Sequence, residues 1–403
     1  MSIFARSTGA RGPLACFAVL GTFWGTWAAL LPVLRLQAGA SDGELGLAMV
    51  GVGLGSIPAM ILAGRLWRRA RWWLVPITAF AFAVATLGPI FATTPLALGV
   101  TLVLVGASSG ALDVSMNSAI SDVEAAGNRR LMYGAHALFS LGMLTGSVAT
   151  GLARQAGAGP AQALPVVALL FAVVGLGSIG PARRVMARIS AAPVEAAVNR
   201  ATLAVGLLAG IAILCALSFL IEDAIQNWSA LLLEREIGSS PAVGGAGPGI
   251  FAGAMFLGRG SGQWLGARFT DRTLLSVGAL IAAIGLVLAA TAGSAPVALV
   301  GLALGGGGVA MVAPALFARA GRMADPQGRG AAIATLTTVG YTGFVVGPVV
   351  VGLVAQEAGL RTAFVVIAML ALTLAVGGAL MLRGTAQHTD FAEDVELLKS
   401  GRA

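Results

Sequence analysis

The chain is short of charge and of the residue types that build catalytic or metal centres. Only 10% of its 403 residues are Asp, Glu, Lys or Arg, too few to cover a soluble globule with polar surface. Two His and two Cys occur at no ligand spacing, which argues against a metal. Cys16 and Cys215 each stand within an apolar run, where a thiol behaves as a small hydrophobe, so no redox compartment follows. No nucleophile, base and orienting group fall together, and the tail after Arg383 is a short, mostly acidic stretch. An enzyme or a non-transporting receptor is therefore disfavoured, and no cofactor is expected beyond an ion gradient.

What is present is hydrophobic length. Apolar residues make up 57% of the chain and mean hydropathy is +0.90. Runs near the roughly 20 residues that a bilayer helix needs number about twelve. They fall at 13 to 36, 43 to 64, 72 to 92, 96 to 120, 131 to 154, 162 to 181, 202 to 233, 241 to 262, 273 to 292, 295 to 318, 330 to 355 and 361 to 382. The first run follows a basic segment but is long, contains Trp24 and Trp27, and lacks a small-residue cleavage site. It reads as a membrane helix and not as a removed signal.

A net charge of +8 and a pI near 11.0 would suggest nucleic acid in a soluble protein. Here the cations follow the positive-inside rule instead. With both termini cytoplasmic, 21 of the 25 Lys and Arg fall on the inner side, Arg259 among them, and only Arg35, Arg154, Arg235 and Arg361 fall outside. The reverse orientation inverts that ratio. Trp67, Trp72, Trp73 and Trp264 lie at the expected inner boundaries, where amphipathic rings anchor. The partners expected are lipid and a small solute, with no nucleic acid, and the protein is expected to be a monomer in a bacterial inner membrane.

The two halves of the chain match at one offset of 201 residues. "WAALL" from Trp27 returns as "WSALL" from Trp228; Gly142, Gly146, Gly151, Leu152 and Gln155 return as Gly343, Gly347, Gly352, Leu353 and Gln356; Gly106 lies over Gly307. This duplication predicts two six-helix bundles, 1–181 and 201–383, with a cytoplasmic linker at 182–200 and a tail at 384–403. In a parallel repeat of this kind solute sites form near the midplane between the halves, and rocking alternates access. The tetraglycine at 305–308 has no strand before it and apolar flanks, so it reads as close helix packing and not as a phosphate loop.

At this point the chain resembles the major facilitator superfamily over its whole length. The resemblance implies an all-α polytopic membrane protein of twelve transmembrane helices in two pseudo-two-fold related bundles. The family's loop signature, Gly-x-x-x-Asp-Arg followed by basic residues, stands here degenerate as Gly64-Arg65-Leu66-Trp67-Arg68-Arg69, with Arg68 in place of the acid. That loop implies a cytoplasmic gate built from Gly64, Arg65, Arg68 and Arg69, minus its carboxylate. "GASSGALDVSMNS", "YGAHALFSLG" and the Glu222, Asn227, Trp228, Ser229 cluster look like a bacterial branch near the L-fucose permease group. That group carries an acid on the fourth helix and one on the first; here only the fourth has one, at Asp113. Asn227-Trp228 stands where the branch has Asp-Trp, and Asp223 follows Glu222 directly.

An ionised side chain at bilayer depth costs about 2.5 to 3.5 kcal/mol, so those that occur usually face a cavity and act there. In the fourth run Ser109, Asp113, Asn117 and Ser121 recur every four residues, one polar stripe on a helix. Asp113 reads either as a carboxyl satisfied by neighbouring helices or as a group that trades its proton when the cavity wets, as proton coupling requires. His136 enters the fifth run about two turns from Arg129 and Arg130, at the depth of Asn117 and Asp113; it tunes that carboxyl or is simply hydrogen-bonded between helices. In the eleventh run, Thr335, Thr337, Thr338 and Thr342 read as hydroxyls bonded back to their own helix, and Tyr341 as a cavity donor.

The seventh run has 33 residues between Arg200 and Glu234, about 50 Å as helix, against a core of about 30 Å. Glu234, Arg235 and Glu236 supply an outer stop, and the Trp27/Trp228 match then moves Glu222 toward the middle. Ser218, Glu222, Gln226 and Ser229 share a face, with Asp223 and Asn227 beside it. Whether Glu222 alone faces the cavity or Asp223 shares it stays open. Trp24, Trp27 and Trp228 offer apolar faces and N–H donors to a sugar-like or aromatic solute, or pack in the core. The expected activity is proton-coupled secondary transport of a small organic solute, with Asp113 and Glu222 as proton sites, His136 as modulator, and Trp24, Trp27, Asn117, Gln226, Asn227, Trp228 and Tyr341 as solute contacts. Export by proton exchange is the alternative, since a partial Gly-rich motif, Gly142 to Gly151 with Gly347-Pro348 in the second half, resembles that of drug/proton antiporters.

Overall fold

The computed structural model describes residues 10–127, 131–189, 205–323 and 329–381. Parts of the expected linker, the whole expected tail, and Arg6, Arg129, Arg130, Arg200, Arg383, Lys399 and Arg402 lie outside them, as does the side chain of Arg68. Among the described residues every regular element is helical. The first half comprises α1 (Arg11–Gln37), α2 (Asp42–Ala70), α3 (Leu74–Ala85), α4 (Pro95–Gly127), α5 (Met132–Gln155) and α6 (Pro160–Ile189). The second comprises α7 (Val205–Leu231), α8 (Pro241–Gly260), the short α9 (Gly262–Arg268), α10 (Asp271–Thr291), α11 (Ala295–Val309), α12 (Val312–Met323), α13 (Arg329–Ala358) and α14 (Leu360–Met381). Among the described residues twelve helical spans are long and apolar enough to cross a membrane, α11 and α12 forming one of them.

Local sequence sets where these helices start and break. Ser41 caps α2: its hydroxyl accepts from the Glu44 amide, and the Glu44 carboxylate accepts from the Ser41 amide at 2.8 Å, a reciprocal capping box. Gly39, with φ +59, makes the left-handed step that ends α1. The α11–α12 break follows from Pro314, which has no N–H and whose ring opposes the carbonyl four residues back, at Ala310. Past Leu231, α7 loosens into a π-helical turn, Leu232–Glu236, that carries Glu234 and Arg235.

Packing follows the duplication. α1 lies on α5 as α7 lies on α13; α2 lies on α4 as α8 lies on α11; and α3 with α6 mirrors α10 with α14. Glycines let these pairs approach: a Cβ on Gly142 would fall on the Ala18 carbonyl, and one on its repeat mate Gly343 on the Ala216 carbonyl. The tetraglycine does the same, with Gly306 against the Phe251 carbonyl and Gly308 against that of Gly278. Large apolar side chains such as Phe91, Leu96 and Val84 point outward, 73 to 78% exposed, as a surface solvated by lipid would require.

The halves meet through α5 on α8 and α2 on α13, and these contacts are not uniform along the helices. An even number of crossings puts the start of α1 and the end of α14 at one end, the near end; the opposite end is distal. Toward the distal end, a Cβ on Gly245 of α8 would lie 2.6 Å from the Gly151 Cα of α5. Moving along α8, a Cβ on Gly249 would lie 3.0 Å from a Val148 methyl, one on Gly253 3.7 Å from a Leu144 methyl, and one on Gly260 would meet nothing within 4 Å. On α2, Gly46 abuts the Gly352 Cα of α13, whereas Gly64 stands in open space. The helix pairs are closed distally and diverge toward the near end.

Polar links reinforce the distal closure. Arg154 of α5 donates to both carboxylate oxygens of Glu234, at 2.6 and 2.8 Å, and to the Ala29 carbonyl at 2.6 Å. Arg235 reaches Asp42 at 2.6 Å, the Gly43 amide donates to the Gln356 side-chain oxygen, and the Ser147 hydroxyl donates to the Gly245 carbonyl at 2.6 Å. Arg361 donates to the carbonyls of Ala290, Ala292 and Glu236. The four arginines on the sparsely charged side are thus all engaged, Arg35 with Asp42 at 2.7 Å.

Candidate functional site

Above the distal closure the halves enclose a cavity of about 310 Å³. α1, α2, α4 and α5 form one wall, and α7, α8 and α13 the other. Its lining is mainly apolar and aromatic, with a few ionisable groups, the composition usual for small-molecule pockets.

Asp113 of α4 lines it. One turn on, the Asn117 amide donates to Asp113 Oδ1 at 3.0 Å and to its backbone carbonyl at 2.8 Å. The expected stripe therefore divides. Ser109 and Asp113 reach the cavity, Asn117 stands behind Asp113 as its hydrogen-bond donor, and Ser121 lies exposed beyond the lining. Ser109 bonds back to the Gly106 carbonyl at 3.1 Å.

α7 brings Glu222, Asp223, Gln226 and Asn227 to the opposite wall. Glu222 sits midway along the span Leu208–Glu236, the depth expected from the Trp27/Trp228 match. Both members of the acidic pair line the cavity, and they are held differently. Arg259 Nη2 lies 3.2 Å from each Glu222 oxygen. Asp223 repeats the Asp113 arrangement: Asn227 donates to its Oδ1 at 2.8 Å, while Oδ2 is buried with no hydrogen-bond partner among the described residues. α4 and α7 are not repeat equivalents, so this Asp-x-x-x-Asn pair occurs twice independently of the duplication.

Arg259 is the residue whose role sequence reasoning missed. Counted with the inner-boundary charges, it stands in the last turn of α8 and also lines the cavity as the partner of Glu222. Its position inside the apolar run at 241 to 262 was the available signal, the same criterion that singled out Asp113.

His136 also lines the cavity, its ring edge-on to Phe17 with centroids 5.2 Å apart; among the described residues no hydrogen bond ties it to Asp113 or Asn117. Trp24 and Trp27 reach the cavity, and among the described residues the indole N–H of Trp27 has no acceptor. Trp228, fully buried, belongs to the core and not to the lining. Tyr341 lines the cavity beside Phe219 and Phe344. Thr337 and Thr342 bond back to the carbonyls of Ile333 and Val339.

Gly64, Arg65 and Arg69, expected in a loop, lie instead in the last turns of α2, at the near end and away from the cavity. Arg71 ends α2 with φ +43, the one described non-glycine residue in the left-handed region, and meets Asp122 of α4 at 3.1 Å. A carboxylate therefore reaches this basic segment from within the first half.

Comparison with known proteins agrees with this architecture. The sequence profile of the Major Facilitator Superfamily matches residues 211–399. An MFS-type transporter of Yersinia pestis is 32% identical over 370 residues, covering 91% of this chain and 94% of that protein. The solved nucleoside transporter NupG superposes with a TM-score of 0.71 at 15% identity, covering 93% and 99% of the two chains. The E. coli fucose:proton symporter FucP superposes with a TM-score of 0.57 at 17% identity, covering 93% and 100%. These structural likenesses carry the fold, and the Yersinia relative carries the family: the chain belongs to the major facilitator superfamily and is a multi-pass membrane transporter of a small molecule.

Proposed function

We propose that the protein is a proton-coupled secondary transporter that carries a small organic solute inward across the bacterial inner membrane. Both termini are cytoplasmic in this reading, which puts the arginine-rich near end inside. The conformation described above is then inward-facing, with the periplasmic end shut by Arg154–Glu234 and Asp42–Arg235.

The observation that carries the proposal is the pair of cavity carboxyls, Asp113 in one half and Asp223 in the other, each with one oxygen taken by the asparagine a turn away. Among the described residues neither meets a fixed cation, whereas Glu222 does. A carboxyl left in a cavity that wets and dries in turn is suited to take and release a proton as access alternates. Asp113 is assigned as the proton site, and Glu222 is paired with Arg259. The domains work as units 1–181 and 201–383, joined by the linker at 182–200.

The test is accumulation in proteoliposomes of a solute first found by thermal shift on the purified protein, driven by an imposed pH gradient. Wild type accumulates it; Asp113→Asn loses gradient-driven accumulation and keeps solute counterflow. Intact accumulation in Asp113→Asn rejects the assignment.

Proton exchange, and hence export, is the second reading, because two equivalent carboxyls in one cavity can serve solute and proton in turn. The sign of solute-dependent proton flux in inside-out vesicles separates the two directions.

A further inference from the structure

The wall formed by α7 and α13 joins three aromatic rings to a carboxylate. Phe219 and Phe344 stack with centroids 4.8 Å apart and planes at 18°, and Tyr341 meets them edge-on at 6.2 and 5.6 Å. Phe219 precedes Asp223 by one turn, so both lie on one face of α7, and all four residues line the cavity. Among the described residues Asp223 Oδ2 has no hydrogen-bond partner. Two more buried polar atoms on lining residues have no hydrogen-bond partner among the described residues: the Trp27 indole N–H, in a residue 1% exposed, and Asn227 Oδ1, in one 3% exposed. Unpartnered buried polar atoms are costly, so their concentration here suits a ligand that satisfies them.

We propose that the transported solute is a small organic ammonium ion, held by Asp223 against the Phe219, Tyr341 and Phe344 rings, with Trp27 donating to a hydroxyl or other acceptor on it. Aromatic faces attract a cation through their quadrupole, and a desolvated site strengthens that attraction. Net charge gives the same sign. Glu222 is offset by Arg259 and Asp113 carries the proton, which leaves Asp223 as the charge that faces the solute. An anion would meet that carboxylate; a neutral sugar would stack on the rings but leave Asp223 without a counter-charge. An ammonium ion uses both features. With Asp113 reserved for the proton, solute and proton are bound at once, as symport requires. The inference deepens the function proposed above and rests on the cavity being the solute site.

The experiment measures binding to the full-length protein in detergent at neutral pH with matched probes: choline against its neutral isostere 3,3-dimethylbutan-1-ol, and glucosamine against glucose. At least one ammonium member binds, and its neutral partner binds about tenfold or more weakly. Asp223→Asn abolishes the preference, and Phe344→Leu weakens the ammonium probe by about tenfold while the melting temperature reports folding. Equal affinity within both pairs, binding of the neutral members only, or no binding by any probe overturns the inference, and the wild type alone suffices to show it. Preferential ammonium binding without gradient-driven uptake removes the proton coupling proposed above and leaves this inference standing. Gradient-driven uptake of glucose but of neither ammonium probe does the reverse.

Discussion

Asp42 Oδ1 accepts from Arg235 Nη1 at 2.6 Å, and Arg35 Nε lies 2.7 Å from the same oxygen, so one carboxylate of the first half holds an arginine from each half. The acid stands in the first turn of α2, where the helix dipole also favours negative charge. Its side chain is 5% exposed, so the attraction is little screened.

Asp42→Asn is expected to leave both arginines without a counter-charge and to loosen the distal closure. A reporter cysteine on the cavity wall, Gln226→Cys, then reacts faster with a membrane-impermeant thiol reagent added from the distal side. An unchanged rate would show that Asp42 does not hold the closure.

Arg154 and Glu234 form a two-toothed ion pair across the halves, with side chains 6% and 13% exposed. Removing one partner of a buried pair strands the other, so Arg154→Ala is expected to cost about 3–5 kcal/mol. Arg154→Lys retains the charge but loses the fork, and falls between the two. Denaturation of the purified variants is the measurement, and a loss for Arg154→Ala under about 1 kcal/mol, the range of an exposed pair, contradicts the buried pairing.

Arg259 and Glu222 are coupled and should be tested as a pair. Arg259→Gln leaves an uncompensated acid in the cavity and Glu222→Gln an uncompensated cation, and each alone is expected to reduce transport severely. The double variant should recover part of the loss, with an interaction energy of about 0.5–3 kcal/mol in a double-mutant cycle. Additive losses would mean that the two groups act separately.

Gly245→Leu addresses the closure by shape instead of charge. Even a Cβ there would lie 2.6 Å from the Gly151 Cα and 2.7 Å from the Ser147 carbonyl, so the larger side chain excludes the distally closed arrangement. The variant is expected to insert, to expose Gln226→Cys to the distal side, and to lose transport. Wild-type labelling and transport would show that α5 and α8 part easily at this point.

The spans, the duplication and the cavity position of Asp113 were legible because each rests on a feature that the bilayer imposes along the chain. Apolar length, charge excess in alternate loops and isolated charges within apolar runs need no partner to be recognised. The depth of Glu222 was legible for a related reason: the Trp27/Trp228 match fixed a register within a run too long to place by length.

Sidedness across the helix was less accessible. At 100° per residue, Glu222 and Asp223 differ by a rotation that the sequence leaves free, and only the seating of α7 against α1 and α13 turned both into the cavity. The same freedom put Asn117 behind Asp113 and Trp228 in the core while Trp27 reached the lining.

What the sequence determined by itself is the membrane architecture and the presence of carboxyls within it, since hydrophobic length and the cost of buried charge act on a single helix. What only the tertiary structure decided is which of those charges are neutralised. Arg259 meets Glu222, Arg235 meets Asp42 and Arg154 meets Glu234 across separations of 37, 193 and 80 residues. Among the described residues Asp223 meets Asn227 and no cation, because an ion pair depends on distances of a few ångströms that arise only when helices from distant parts of the chain are packed together.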